Sequence, residues 1–327
     1  MKVAFVTRKY VYGGNLSVIV NEIRKQGVEV EVISSKTNLG VNLVGMKTWF
    51  KDCDLIHVNG CWMGAFVDSR KPVVVTVHTT ARGESKYNPS WMYKAGFWFE
   101  NRTLRKADHI IAVSKSIQNE LIEYPNVTAI PHSLPSFPNP SLHFERGINP
   151  RLTVLYSGRL ERRKSVISIF ESLPYLLRPI HLKLLGDGEQ RKNLEYCQNW
   201  FKGKHKISFL GYIPNSCSDY WKHFETADIF VCPSLYEGDP QTVLEAMSYG
   251  LPILASDIPS HKEMLNNAGM FFHIYDIFDL QSKLNSLIVS SGVRQVFGSR
   301  AFERAKKRPG ARDIAKQIID VYEGMSQ

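Results

Sequence analysis

The sequence predicts an α/β protein of two domains, each a parallel sheet layered with helices, and three observations carry that prediction. Short β-rich apolar runs alternate with helically spaced segments through the first half of the chain. A proline-rich stretch breaks the pattern at 131–150. The same alternation then restarts and continues toward the C-terminus. Strands that alternate with helices imply parallel pairing through right-handed crossovers. Repeated proline removes amide donors and discourages regular structure, so the break reads as a linker. Two domains facing one another across a cleft are therefore expected, and 327 residues suffice for two hydrophobic cores.

Residues 3–6 form the opening strand; because they run directly into Thr7-Arg8-Lys9, they do not read as a secretory signal. Residues 16–25 have helical spacing, and 28–33, 55–58, 73–77 and 110–113 read as strands, with 116–123 helical. After the linker, 153–156, 182–185, 206–210 and 229–232 are strands and 166–173 a helix. Residues 311–322 place Ile314, Ile318, Ile319 and Tyr322 on one helical face. In parallel sheets ligands bind beyond the carboxyl ends of the strands. Gly13-Gly14, His57, His78 and Ser114 fall at such ends.

Composition narrows the function. The apolar fraction of 43% is ordinary for a globular protein, and no apolar run approaches the roughly twenty residues of a membrane span. Five cysteines without a C-x-x-C pair suit free thiols in a reducing cytosol. No ligand cluster of metal-site spacing is present, so no metal is expected. The formal charge of +10 suits phosphate-bearing small molecules, nucleic acid or an anionic membrane. Nucleic acid is not expected, because no zinc finger, helix-turn-helix or RNA-reading motif accompanies the charge. Neither a dinucleotide fingerprint nor a Walker loop appears.

The chemistry concentrates in Glu237-Gly238-Asp239-Pro240-Gln241-Thr242-Val243-Leu244-Glu245. Asp239 is expected to cap a helix with Pro240 at its first position, and Gly250 and Pro252 to end it before a strand at 253–255. Glu237 then stands before the helix and Glu245 more than a turn along it. The pair places acceptors on both sides of a positively polarised helix start, which suits a ligand anionic in its middle and hydroxyl-rich at its ends.

Ser157-Gly158-Arg159-Leu160-Glu161-Arg162-Arg163-Lys164 follows a strand, and Arg159 and Lys164 bracket a helix start. Such cations stabilise a departing diphosphate, although a solvated basic loop has the same sequence; Arg162 and Arg163 are expected at the surface. Gly186-Asp187-Gly188-Glu189 is either an ordinary tight turn or a place of close backbone approach to a ligand. Gly211-Tyr212-Ile213-Pro214 either reads a nucleobase, with Ile213 against its face, or is a packed strand exit. Tyr12-Gly13-Gly14-Asn15 admits both a phosphate or sugar contact and a plain turn. His78 is a candidate site residue beside its common structural role, as are His57 more weakly and His132 at the linker. Trp91-Met92-Tyr93 and Phe97-Trp98-Phe99, interleaved with Lys94, Arg102, Arg105 and Lys106, fit either attachment to an anionic membrane surface or a core-facing helix.

Together these residues resemble the retaining, nucleotide-sugar-dependent glycosyltransferases of the GT-B fold, family 4, also called glycosyl transferases group 1. Glu237 and Glu245 match the Glu-x7-Glu element, and Gly158 to Lys164 match Gly-Arg-Leu-x-x-x-Lys. Gly-Asp-Gly-Glu at 186–189, Phe-Leu-Gly at 209–211, Ala-Asp-His-Ile-Ile-Ala-Val-Ser at 107–114 and Ile-Pro-His-Ser at 130–133 follow in order. The resemblance implies an acceptor-side Rossmann-like domain over 1–145, a nucleotide-sugar-binding one over 146–308, and a helix over 309–327 returning to the first. It assigns Arg159 and Lys164 to the donor diphosphate, helped by amides near Gly238. Glu237 would take the donor-sugar hydroxyls, Glu245 the ribose, His78 the transferred sugar, and Gly14 the phosphate or reaction centre. Gly188 and Ile213 complete the donor contacts, with no divalent metal required. Two departures stand out: Asp239 replaces a frequently aromatic position, and His132-Ser133-Leu134-Pro135 replaces Asn-Gly-Val-Asp.

The implied reaction moves a hexosyl group from a nucleoside diphosphate sugar to a glycan or lipid-linked hydroxyl, in the cytoplasm or at the inner face of the membrane. The competing readings are a sugar-nucleotide epimerase or hydrolase, and a non-catalytic sugar- or lipid-binding protein of the same fold.

Overall fold

In the computed structural model, which describes residues 1–8, 15–34, 44–87, 91–133, 151–201 and 203–325, the chain divides into two compact units. One comprises Met1–Pro135 together with Pro309–Gln327, the other Ser136–Arg308. Gly13, Gly14 and residues 134–150 of the expected linker lie outside the described residues.

The first unit carries a six-stranded parallel sheet of β1 (Lys2–Thr7), β2 (Glu29–Ser34), β3 (Leu55–Asn59), β4 (Val73–Val77), β5 (His109–Ala112) and β6 (Val127–Ala129), in the order β2-β1-β3-β4-β5-β6. Every residue of β4 is buried, as expected of a parallel strand covered on both faces. The sequence reading misses β6, a three-residue edge strand with no fully buried position to leave an apolar signature. Ser114 at the end of β5 caps the helix Lys115–Glu120, accepting from the Ile117 amide at 3.2 Å.

The C-terminal helix, Ala311–Gly324, packs on the helix Asn15–Lys25 of the same unit. It buries Ile314, Ala315, Ile318, Ile319 and Tyr322 in a cluster with Val20, Ile23, Phe5 and Val30. Each large apolar side chain taken from water there contributes roughly 2 kcal/mol. Tyr322 is anchored further: its hydroxyl lies 2.5 Å from His57 Nδ1, and His57 Nε2 lies 2.7 Å from Thr76 Oγ1. His57 is therefore a core residue rather than a site residue. Burial pushes its imidazole down to about 3, so it stays neutral.

The helix Trp91–Leu104 docks through small or inward residues: a Cβ on Gly96 would meet the Trp62 ring at 2.4 Å, and Glu100, Thr103 and Leu104 are buried. Phe97 and Trp98 are left outside, 51% and 53% exposed, which removes them from the core-facing reading.

The second unit carries β7 (Leu152–Ser157), β8 (Ile180–Leu185), β9 (Lys206–Gly211), β10 (Ile229–Cys232), β11 (Ile253–Ser256) and β12 (Met270–Phe272), in the order β12-β11-β10-β7-β8-β9, again all parallel. Its core gathers Val154, Tyr156, Leu182, Leu184, Val231 and Leu254 from the sheet against Phe170, Leu280 and Leu284 from helices. The chain winds from β7 outward through β8 to β9, then returns to the other side of β7 at β10. The direction of winding thus reverses between β7 and β10, where the loops leaving their carboxyl ends diverge.

Candidate functional site

Both of the chemically dense sequence segments leave the sheet at that reversal: Gly158–Lys164 after β7 and Pro233–Pro240 after β10. The first begins on Gly158 at a φ of +149°, a conformation that favours glycine, and ends in the 3-10 turn Arg162–Lys164. The Leu235 amide donates to the Arg163 carbonyl at 2.8 Å, which locks the two loops together. Three side chains then meet on Glu237. Lys164 Nζ donates to Oε1 at 2.5 Å, Ser234 Oγ donates to the same oxygen at 2.7 Å, and Arg163 Nη1 lies 3.5 Å from Oε2. Burial alone would raise the Glu237 carboxyl, but the charges of Lys164 and Arg163 prevail and hold it at about 2. Glu237 is ionised at every physiological pH.

Arg163 corrects the expectation of a surface residue. It is 3% exposed and donates Nη1 to the Tyr236 carbonyl and Nη2 to Glu161 Oε1, both at 2.8 Å. Glu161 Oε2 in turn lies 3.0 Å from Nη1 of Arg159, whose side chain is 68% exposed. The charges therefore alternate from Arg159 through Glu161, Arg163 and Glu237 to Lys164, leaving one net positive charge. Arg162 is exposed, as expected.

Glu245 lies in a different environment. The helix Gln241–Ser248 buries it to 3% exposure, where its carboxylate meets neutral donors: the Tyr220 hydroxyl at 2.6 Å and the Asn215 side chain. Tyr220 OH also lies 3.1 Å from Ser157 Oγ at the end of β7. Burial without a cation pushes Glu245 up to about 7. The two glutamates of one motif are thus one firmly charged and one poised near neutrality.

Asp239 does not occupy the N-cap position of the helix. Pro240 is itself the N-cap, without a side-chain cap bond, and the Asp239 carboxylate is paired with Arg308. Proline, which lacks the amide donor, has moved one position earlier than expected, and an arginine near the end of this unit takes the acidic side chain. Gly238 lies buried between Glu237 and Asp239.

Gly186 and Gly188 lie close against the backbone of the loop after β7. A Cβ on Gly186 would meet the Gly158 carbonyl oxygen at 1.9 Å, and one on Gly188 the Leu160 carbonyl oxygen at 2.4 Å. The Gly188 amide donates to Asp187 Oδ1 at 2.8 Å. Ile213 is half-buried at the β9 exit beside Tyr212, which is 75% exposed.

Behind Glu237, Cys232, Ser256 and His261 form a buried network. His261 Nδ1 donates to the Ser256 carbonyl at 2.9 Å, which leaves Nε2 to accept from the Cys232 thiol at 3.4 Å. Burial holds His261 down at about 4 and the Cys232 thiol up at about 11, so both are neutral. Ligand atoms of Cys232, Glu237 and His261 lie within 4.8 Å of one another. A cation among them would compete with Lys164 and Arg163 for Glu237 and would have to displace the thiol proton.

His78, in the first unit, ends β4 between two partners. Its Nε2 donates to Asn59 Oδ1 at 3.0 Å, and its Nδ1 accepts from His132 Nε2 at 3.1 Å, the rings stacked at 5.3 Å between centroids. His132 thereby joins His78 at a strand end, a pairing suggested by nothing in their separation of 54 residues.

Arg163, Tyr220, Asn215 and Ser234 are the residues that sequence reasoning missed. Arg163 is masked by its place in a run of basic residues, and Tyr220 reaches Glu245 from another helix.

Comparison with known proteins agrees with this geometry. The family model described as Glycosyl transferases group 1 matches residues 139–304, and that described as Glycosyltransferase Family 4 matches residues 38–134. An uncharacterized glycosyltransferase of Methanocaldococcus jannaschii is 26% identical over 298 residues, covering 82% of this chain and 75% of its own. O-antigen chain mannosyltransferase B of Escherichia coli is 27% identical over 158 residues, covering 47% of this chain and 41% of its own. Among solved structures, sucrose-phosphate synthase from Thermosynechococcus elongatus superposes with a TM-score of 0.82 at 18% identity, covering 99% of this chain and 98% of its own. Anabaena HepE in complex with UDP-glucose gives 0.76 at 18% identity, covering 99% and 100%. These likenesses show the GT-B fold, with its two Rossmann-like α/β domains. Fold, motif order and family models agree: this chain belongs to the glycosyl transferases group 1 family.

Proposed function

We propose that this glycosyltransferase moves a hexosyl group from a nucleoside diphosphate sugar to the hydroxyl of a glycan or lipid-linked acceptor, with retention of the anomeric configuration. The observation that carries the reading is the cationic group at the β7–β10 reversal, in which Lys164 and Glu237 share a hydrogen bond. An ammonium has three N–H donors, and Glu237 takes one, so Lys164 keeps donors for a diphosphate. Arg159 offers its exposed guanidinium to the same anion. As the glycosidic C–O bond lengthens, charge grows on the leaving diphosphate and both interactions strengthen, which lowers the barrier rather than only tightening binding.

Glu237 suits sugar orientation and not nucleophilic attack. A carboxylate held at about 2 by two cations is a weak base, and its ionised oxygens are acceptors for donor-sugar hydroxyls. The acceptor hydroxyl would then lose its proton to the departing phosphate on the same face of the sugar. Glu245 takes the ribose diol, whose donors favour the ionised carboxylate over the neutral form that burial favours. HepE, of the same fold, was crystallised with UDP-glucose, which supports a nucleotide sugar as donor class.

The test is a screen of nucleoside diphosphate hexoses against glycan and lipid acceptors, with the product anomer read by NMR. Lys164→Ala and Arg159→Ala should each lower kcat/KM by roughly a hundredfold to a thousandfold, the scale of a lost oxyanion donor. An inverted product, turnover that needs no acceptor, or unchanged rates in both folded variants would refute the reading.

A further inference from the structure

We infer that the first unit carries an anionic-lipid docking surface on the exposed face of the helix Trp91–Leu104 and the segment after it, an inference that does not depend on the proposed reaction. Trp98, Asn101, Arg102 and Arg105 recur at helical spacing on one side, and with Lys106 they line a surface depression of about 380 Å³. Phe97 and Trp98 stand more than half exposed beside it, and the inward face of the helix is already filled.

The cations here are braced by neutral oxygens. Arg102 Nε donates to the Ala65 carbonyl at 2.9 Å, Arg105 Nε to Asn101 Oδ1 at 3.0 Å, and Lys106 Nζ to the Val67 carbonyl at 3.1 Å. Each bond fixes the side chain without neutralising its charge, although the Asp68 carboxylate also attracts Lys106. Of the acidic residues on these elements, Glu100 is 5% exposed, Asp68 is 1% exposed and paired with Arg70, and the exposed Asp108 accepts from the Val73 amide at 2.8 Å. Aromatic rings tie the cations into one surface. Arg102 lies 5.6 Å from the Trp98 ring and 5.7 Å from that of Phe66, while Arg70 lies 5.0 Å over Trp49, itself 49% exposed.

A lipid interface provides what this surface lacks. Phosphate groups compensate the three braced cations, and the boundary with the acyl chains takes the phenyl ring of Phe97 and the amphipathic indole of Trp98. An acidic protein partner would meet the charge but would leave Phe97 and Trp98 to be covered by a matching apolar face. The lipid bilayer meets both requirements with no shape-matched counterpart. It acts by lying against the surface, since among the described residues no helix is long and apolar enough to cross a membrane.

The experiment is co-sedimentation of the full-length chain with vesicles of phosphatidylcholine alone and of phosphatidylcholine mixed with phosphatidylglycerol. Partition to the mixed vesicles, weakened by salt, is expected. Arg102→Gln with Arg105→Gln should weaken it roughly twentyfold to thirtyfold, about fivefold for each charge lost at a membrane surface. Trp98→Ala should weaken it at unchanged charge, which separates ring insertion from simple attraction. Thermal midpoints of the variants confirm folding, and Trp98→Ala serves where the double variant does not fold. Absence of partition, equal partition to both vesicle types, or full binding by the folded variants overturns the inference. Retention on heparin without vesicle binding overturns it equally.

Discussion

Replacing Glu245 with glutamine removes a carboxyl that folding has driven into a site with no cation. In the folded chain this group titrates at about 7, against an ordinary 4.5, because burial opposes its charge and only Tyr220 and Asn215 donate to it. Between those two values the unfolded chain has released a proton that the folded chain still holds. Stability must therefore fall as pH rises through this interval. At about 1.36 kcal/mol per pH unit, the loss amounts to about 3 kcal/mol and is complete by about pH 8. Glutamine is nearly isosteric with the protonated acid and escapes that loss. Urea unfolding should find Glu245→Gln indistinguishable from wild type at pH 4, about 2 kcal/mol more stable at pH 6 and about 3 kcal/mol more stable at pH 8. The same variant should bind nucleotide more weakly, because a neutral amide is a poorer acceptor for ribose hydroxyls. Glu237→Gln has the opposite slope. Its carboxylate contributes stability above 4.5 that is lost as pH falls through about 2, so the cost of the substitution is full at pH 7 and shrinks in acid. A Glu245→Gln gain that is absent at pH 8, or equal at pH 4 and pH 8, would refute the reasoning.

Arg163→Met strips the guanidinium from between Glu161, Glu237 and the Tyr236 carbonyl, and should cost about 3–5 kcal/mol in urea unfolding, the scale of breaking a buried ion pair. Gly186→Ala forces a Cβ into the Gly158 carbonyl at a φ of +138° and should lower the thermal midpoint of the chain, with a cost above about 2 kcal/mol; an unchanged midpoint would show that the β8 exit moves freely. Tyr322→Phe leaves His57 Nδ1 without its hydroxyl partner and should cost about 1–3 kcal/mol, read by denaturant unfolding, with no effect on a nucleotide-binding assay.

What the sequence alone determined is the layered alternation. The runs of β1, β4, β7 and β10 are buried on both faces, so most of their side chains are apolar, and each is legible from a few residues. The Glu-x7-Glu and Gly-Arg-Leu-x-x-x-Lys elements were legible for a similar reason: a loop that leaves a strand and enters a helix constrains glycine, proline and charge over a short span. The edge strands β6 and β12, three residues each, left too little pattern to read.

Tertiary structure decided everything that depends on residues far apart in the chain. Which of Arg162, Arg163 and Lys164 turns inward was settled by the loop after β10, which bonds the Arg163 backbone and offers Glu237 to its side chain. The opposite ionisation of Glu237 and Glu245 was settled by a lysine 73 residues from the one and a tyrosine 25 residues from the other. The Asp239 carboxylate pairs with Arg308, 69 residues on, while Pro240 takes the N-cap position. Local sequence constrains backbone conformation and burial, but the charge state of a buried carboxyl is set by whichever groups the fold brings within a few ångströms of it.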